Sequence, residues 1–137
     1  MIDFRGTFGL RVLHRLQEET IVWLTTVSAN GTPQPNPVWF YWDGETCLIY
    51  TKPDSAKLRH IERNPKVALS FEGATQAGGD VVVLTGEARV IPGAPPIPEG
   101  YQRKYQEVLL ALGQTWDGLL HEYSVAIRVK PAKYRGF

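Results

Sequence analysis

The chain has 137 residues, 43% of them hydrophobic and 21% charged, which fits one globular domain spanning 1–137 and excludes intrinsic disorder. Fifteen basic against fourteen acidic residues leave a formal charge of +1, so no global field points to a nucleic acid or a membrane surface as partner. A single cysteine, Cys47, excludes an internal disulfide and any multi-cysteine metal or iron–sulfur site.

Residues 1–6 carry no signal-peptide pattern and no run approaches ~18 apolar residues, so the expectation is a soluble cytoplasmic protein. Leu10, Leu13 and Leu16 recur every third residue through 9–18 and predict a short amphipathic helix. Residues 21–28, rich in β-branched side chains and Trp, predict a strand. Asn30-Gly31 predicts a type I′ hairpin turn, which needs positive φ at both central residues. A second strand is expected at about 32–42, a tight turn at Asp43-Gly44 and a third strand at 46–52, the three forming an antiparallel meander. Pro53-Asp54-Ser55 opens a helix at 56–63, with Asp54 or Ser55 as its cap, and Asn64-Pro65 closes it. Strands follow at 67–72 and 80–91, separated by a loop at 73–79. The proline-rich stretch 92–100 predicts an irregular connection. Tyr101, Tyr105, Val108, Leu109 and Leu112 mark a helix that stops at Gly113; 115–121 is a further helical turn, 124–129 a sixth strand and 131–137 a tail. This pattern predicts a mainly β fold with minor α content. A six-stranded antiparallel barrel is its economical form, because closure removes exposed edges.

Pro33, Pro35 and Pro37 lie two apart, so a strand through them lacks N–H groups along one edge. The plainer reading is an exposed edge protected against aggregation. The sharper one is a barrel split at this strand, with a ligand lying where no neighbour pairs. Val38, Trp39, Phe40 and Tyr41 would then offer either a flat apolar wall or ordinary core.

Tyr50-Thr-Lys-Pro-Asp-Ser-Ala-Lys-Leu-Arg runs from a strand end into a helix start. The first helical turn exposes unpaired N–H groups and a partial positive charge. Thr51, Ser55, Lys52, Lys57 and Arg59 add hydroxyls and cations, a combination that suits a phosphate. A capped, solvated surface helix is the alternative, and Asp54 disfavours an anion unless its carboxylate is turned away. His14, His60 and His121 lack metal-ligand spacing and read as surface histidines, and Cys47 reads as a buried inert thiol. No nucleophile elbow, dinucleotide fingerprint or P-loop is present. No catalytic acid or base stands out, so in an enzyme a bound cofactor would carry the reaction.

In order and spacing, Thr25-Thr-Val-Ser-Ala-Asn-Gly-Thr-Pro-Gln-Pro-Asn-Pro-Val-Trp-Phe, Leu48-Ile-Tyr-Thr and Ser55-Ala-Lys-Leu-Arg-His-Ile-Glu-Arg-Asn-Pro-Lys-Val-Ala-Leu resemble the split β-barrel flavin/deazaflavin oxidoreductases, relatives of pyridoxamine 5′-phosphate oxidase. The resemblance covers about 10–91, and 125–137 more weakly. The Arg135-Gly136-Phe137 ending looks most like the subgroup that uses the deazaflavin F420. The resemblance implies a homodimer with cofactor sites at its interface. It implies that Tyr50, Thr51, Ser55 and Lys57 hold the cofactor phosphate and that Pro37, Val38 and Trp39 line its ring. Lys52 and Arg59 would add charge for the phosphate or for the acidic tail of F420, and Arg135 and Phe137 would reach in from the other subunit. Ala56 stands where the oxidase has an Arg beside the helix-start Lys, and the oxidase's ring-contacting Gln falls near Val81. The oxidase's substrate-phosphate residues, in its longer C-terminus, have no counterpart. True pyridoxamine phosphate oxidation is therefore disfavoured, and F420 is favoured over FMN. The function implied is hydride transfer between F420 and a small planar organic substrate; the alternatives are an FMN flavoprotein and a non-enzymatic cofactor-binding or storage protein.

Overall fold

A computed structural model describes residues 2–73, 78–93 and 95–137; positions 74–77 of the expected 73–79 loop and position 94 of the 92–100 connection lie outside the described residues. The elements in chain order are α1 (Thr7–Glu18), β1 (Val22–Val27), β2 (Pro33–Val38), β3 (Tyr41–Trp42), β4 (Cys47–Thr51), α2 (Ala56–Arg63), β5 (Lys66–Ser70), β6 (Val82–Ile91), α3 (Glu99–Ala111), α4 (Trp116–Glu122) and β7 (Val125–Gly136). The strands form one curled antiparallel sheet in the order β2-β1-β5-β6-β7-β4-β3. The mainly β split-barrel class stands, with seven strands in place of six. Among the described residues no helix is long and apolar enough to cross a membrane.

The extra strand arises because the expected strand at 32–42 breaks at Trp39-Phe40. β2 pairs with β1 at one end of the sheet, and β3 pairs with β4 at the other, so 21–52 is not a single meander. Pro33, Pro35 and Pro37 sit opposite Val27, Thr25 and Trp23, and their missing N–H groups all fall on the outer edge. The two sheet ends are consecutive in the chain. Only Trp39 and Phe40 separate β2 from β3, so the chain keeps Val38 and Tyr41 within about 11 Å of each other. The sheet must curl to satisfy this, and the prolines keep it from zipping shut.

Local corrections follow from packing and turn geometry. In α1 the buried face is Gly9, Val12, Arg15 and Leu16, while Leu10 is 60% exposed. At the first hairpin only Gly31 has positive φ, with Gly31 N–H donating to Ser28 O at 2.9 Å. That is a type I turn closed by a glycine, in place of a type I′ turn, so Asn30 escapes the left-handed region. Asn30 Oδ1 instead accepts from the Ser28 and Thr32 hydroxyls at 2.7 Å. The expected tail at 131–137 is strand, because β7 follows β6 from Ile91↔Ala126 to Val82↔Gly136. A register shift between Thr85 and Gly86 admits Pro131, and a Cβ at Gly86 would lie 2.1 Å from Lys130 O.

β4 is buried on both faces. Cys47 and Ile49 face the main core between α1, α2 and the sheet, and the burial of Cys47 pushes its thiol pKa up. Leu48 and Tyr50 face a second cluster with Ala126 and with Tyr101 and Tyr105 of α3. Arg15, though buried, donates to Glu72 O and to Asp80 Oδ2 (3.1 Å); its Nε is 2.8 Å from Glu19 Oε1 as an ion pair, off-line for a hydrogen bond.

Lys104 of α3 donates to Phe40 O at 2.7 Å, with its ammonium 3.6 Å from the centre of the Phe40 ring. Burial lowers its pKa from 10.5 to about 8. Below pH 8 it is charged in both states and its burial cost is fully present. Between about 8 and 10.5 the unfolded chain holds the proton that the native chain releases, so stability rises with pH. Above about pH 10 the buried phenols of Tyr50, Tyr101 and Tyr105, whose pKa values are raised, reverse the slope. The unfolding free energy from urea titrations between pH 7.5 and 9.5 should therefore climb, by about 1 kcal/mol after solvent screening, and Lys104→Met should flatten the climb.

Candidate functional site

The chain leaves β4 at Thr51 and turns through Lys52-Pro53-Asp54-Ser55 into α2, with Ser55 N–H donating to Lys52 O at 3.1 Å. Ser55 occupies the N-cap position, but no side chain caps the helix, contrary to the expectation for Ser55 or Asp54. The Ser55 hydroxyl instead accepts from Lys57 Nζ at 3.0 Å, and Thr51 Oγ1 lies 3.3 Å from the same ammonium. The first N–H groups of α2 thus have no side-chain acceptor. Lys57 is half-buried, desolvation lowers its pKa, and among the described residues no carboxylate pairs with it. An ammonium, two hydroxyls and a helix start converge without an acid among the hydrogen-bonding groups, a donor set that fits a phosphate.

This corner opens into a cleft of about 580 Å³. One wall is Asn36, Pro37, Val38 and Trp39 at the split edge; Ile21 and the end of β4 add to it. The facing wall is Tyr101 and Leu112 from α3 and its end, with Leu119, Leu120 and Tyr123 from α4 and its end. Trp39 stacks on Tyr105 with ring centroids 4.3 Å apart and planes 4° from parallel. Tyr101 meets Tyr50 edge-on at 5.3 Å. Tyr105 Oη accepts from Phe40 N–H at 2.9 Å and lies 2.7 Å from Thr20 O, so α3 is bolted to the link between the sheet's two ends.

The structure brings Pro37, Val38, Trp39, Tyr50, Thr51, Lys52, Ser55 and Lys57 to one cleft. Tyr50 presents its ring there while its hydroxyl donates to Pro95 O at 3.3 Å. Lys52 is paired with Glu122 at 2.9 Å. Ala56 and Arg59 are exposed on α2 outside the cleft. Arg135 pairs with Val83, and Phe137 exchanges backbone hydrogen bonds with Val81, so within one protomer neither lines the cleft. None of the three histidines lines it either, and His60 is half-buried against Thr26 Oγ1 at 2.8 Å rather than on the surface.

The sequence matches the family model for pyridoxamine 5′-phosphate oxidase over residues 11–136. The chain belongs to the pyridoxamine 5′-phosphate oxidase family. Solved structures with the same fold include an F420 reductase (24% identity, 89% of this chain and 94% of that one, TM-score 0.64). Another is a putative pyridoxamine 5′-phosphate oxidase from Listeria innocua (18% identity, 96% and 98% coverage, TM-score 0.65). A third is HutZ, the heme storage protein from Vibrio cholerae (17% identity, 93% and 92% coverage, TM-score 0.63). No curated protein matches.

For a member of the pyridoxamine 5′-phosphate oxidase family, the part of the site missed in the sequence is the α3–α4 wall and Asn36. Asn36 lies opposite Leu24 in the register and lines the cleft as an exposed side chain of the split edge. Leu112, one of the apolar residues whose spacing marks the helix, is 62% exposed at the cleft, where the end of α3 borders open space. Tyr105→Phe keeps the ring stack but orphans the Phe40 N–H; urea unfolding should show a loss of about 1–3 kcal/mol.

Proposed function

We propose that this protein is an F420-dependent oxidoreductase of the cytoplasm that passes a hydride between the deazaflavin and a small planar organic substrate. The observation that carries the reading is the Lys57 ammonium, half-buried between Ser55 and Thr51 at an uncapped helix start and free of acidic partners among the described residues. Lys57, Ser55, Thr51 and the α2 N–H groups would hold the phosphate. Pro37, Val38 and Trp39 would back the ring. Leu119, Leu120 and Tyr123 would exclude water from the opposite side. When bound, F420 supplies a hydride donor at C5. The protein's part is to fix the face of the ring and neutralise charge. Substitution of the family's helix-start Arg by Ala56, and the fold relative named an F420 reductase, favour F420.

The reading includes a homodimer. β2 is exposed on both faces from Pro33 to Pro37, and Arg135 and Phe137 would reach a cleft only from a second subunit. FMN is the second reading, favoured by the match of one unpaired lysine to one terminal phosphate.

Fluorescence titration with F420 and with FMN should rank the two. Lys57→Ala should weaken the preferred cofactor by about 1.5–3 kcal/mol, roughly ten- to a hundredfold, the scale of a charge-assisted hydrogen bond. Unchanged affinity in that variant would remove the phosphate assignment.

A further inference from the structure

Two cations line the cleft, and their surroundings differ. Lys57 is held by hydroxyls, whereas Lys52 Nζ lies 2.9 Å from Glu122 Oε1 and 5.5 Å from the centre of the Tyr123 ring. Glu122 is the last residue of α4, so the negative end of that helix also faces Lys52. α4 has no fully buried residue, and its Leu119 and Leu120, with Tyr123 just beyond, border the cleft. The Lys52–Glu122 pair therefore does two things at once. It ties the α4 wall to the phosphate corner, and it places an internal carboxylate on one of the two cleft cations. Asp54, exposed at the same cleft, adds its negative charge to Lys52 as well, so both nearby carboxylates act on Lys52 and neither pairs with Lys57.

We infer that Glu122 is a specificity-determining carboxylate: by occupying Lys52 it leaves the cleft one cation, Lys57, for a single phosphate, and a ligand carrying further anionic groups must take Lys52 from it and loosen α4. This rests on the phosphate site proposed above, and it names what the acidic tail of F420 must displace there: F420 binds by taking Lys52 from Glu122, whereas FMN leaves the pair intact. Both partners are about half-exposed, so the competition is of modest size.

The test is equilibrium binding of FMN, with one phosphate, and of F420, whose phosphate precedes an acidic tail. Each is titrated against the unmodified protein, Glu122→Gln, Lys52→Met and the double variant. Glu122→Gln should improve F420 affinity relative to FMN by about threefold, the scale of an exposed ion pair, with the gain shrinking at high salt. The gain should vanish in the Lys52→Met background. Amide hydrogen exchange over 116–122 in the unmodified protein should quicken on adding F420 and stay unchanged with FMN. An unchanged affinity ratio, or a gain that survives in the double variant, overturns the role of Glu122 while leaving the phosphate site standing. Failure of both ligands to bind the unmodified protein overturns the phosphate site and this inference together.

Discussion

Everything in this molecule depends on an edge that cannot be paired. β2 offers backbone donors only toward β1, because the three residues whose N–H groups would point outward are prolines. A strand docked on that side would find carbonyls without donors. The same strand is joined through Trp39-Phe40 to β3, the opposite end of the sheet. Covalent connection draws the two ends together, and missing hydrogen bonds hold them apart. The result is a permanent slot in an otherwise continuous ladder. Its walls are side chains of Asn36, Val38 and the end of β4, with no backbone pairing between them to be broken before a ligand enters.

The slot needs a second restraint, since a bare edge link would fray. Tyr105 and Lys104 supply it by gathering on the backbone of Phe40 from one turn of α3, while the Tyr105 ring stacks on Trp39. The donor that reaches the Phe40 carbonyl from the helix surface is an ammonium, so a lysine is partly buried here and its charged form is destabilised. The Phe40 ring beneath the ammonium offsets part of that cost. Structure and binding are linked through this residue pair, because the helix that fixes the split also furnishes the cleft's apolar wall.

Much of the frame was legible in the amino-acid order. The helix at 56–63 matches α2 residue for residue, and the alternate prolines marked an edge that the topology bears out. Local signals suffice where the deciding forces are local: an Asn-Pro stop, a glycine with positive φ, the absence of an N–H. The partition of 32–42 into two strands was not legible, because it depends on where β4 finds its partner, and that partner is β7, some eighty residues on. The strand character of 131–137 was hidden by Pro131, which is admitted only by the register shift opposite Gly86. In the site, the hydroxyl and lysine positions followed from one short segment. The α3–α4 wall did not, since a helix face turned toward a cleft has the same apolar spacing as one turned toward a core. Arg15 shows the converse. Spacing placed leucines on the buried face of α1, yet an arginine is buried there and Leu10 is exposed, because the loop carbonyl of Glu72 and the carboxylate of Asp80 need a cation more than the core needs a methyl group.

Fold kinship alone leaves the chemistry open, because the related structures include a protein named for F420 reduction and one named for heme storage. What narrows it is the donor set inside the cleft. The lining carries phenol, indole, amide, hydroxyl, amine and carboxylate groups, and none of the three histidines is in it. Within it the Lys57 ammonium has as hydrogen-bonding partners two neutral hydroxyls, which could turn to suit a phosphate. Ala56 adds no charge at the helix start, whose N–H groups have no side-chain cap, so a phosphate held there as proposed would meet those N–H groups and one ammonium. In that proposal selectivity would come from what lies beyond the phosphate: the aromatic strip at the split edge, the leucines of α4 and the Lys52–Glu122 pair.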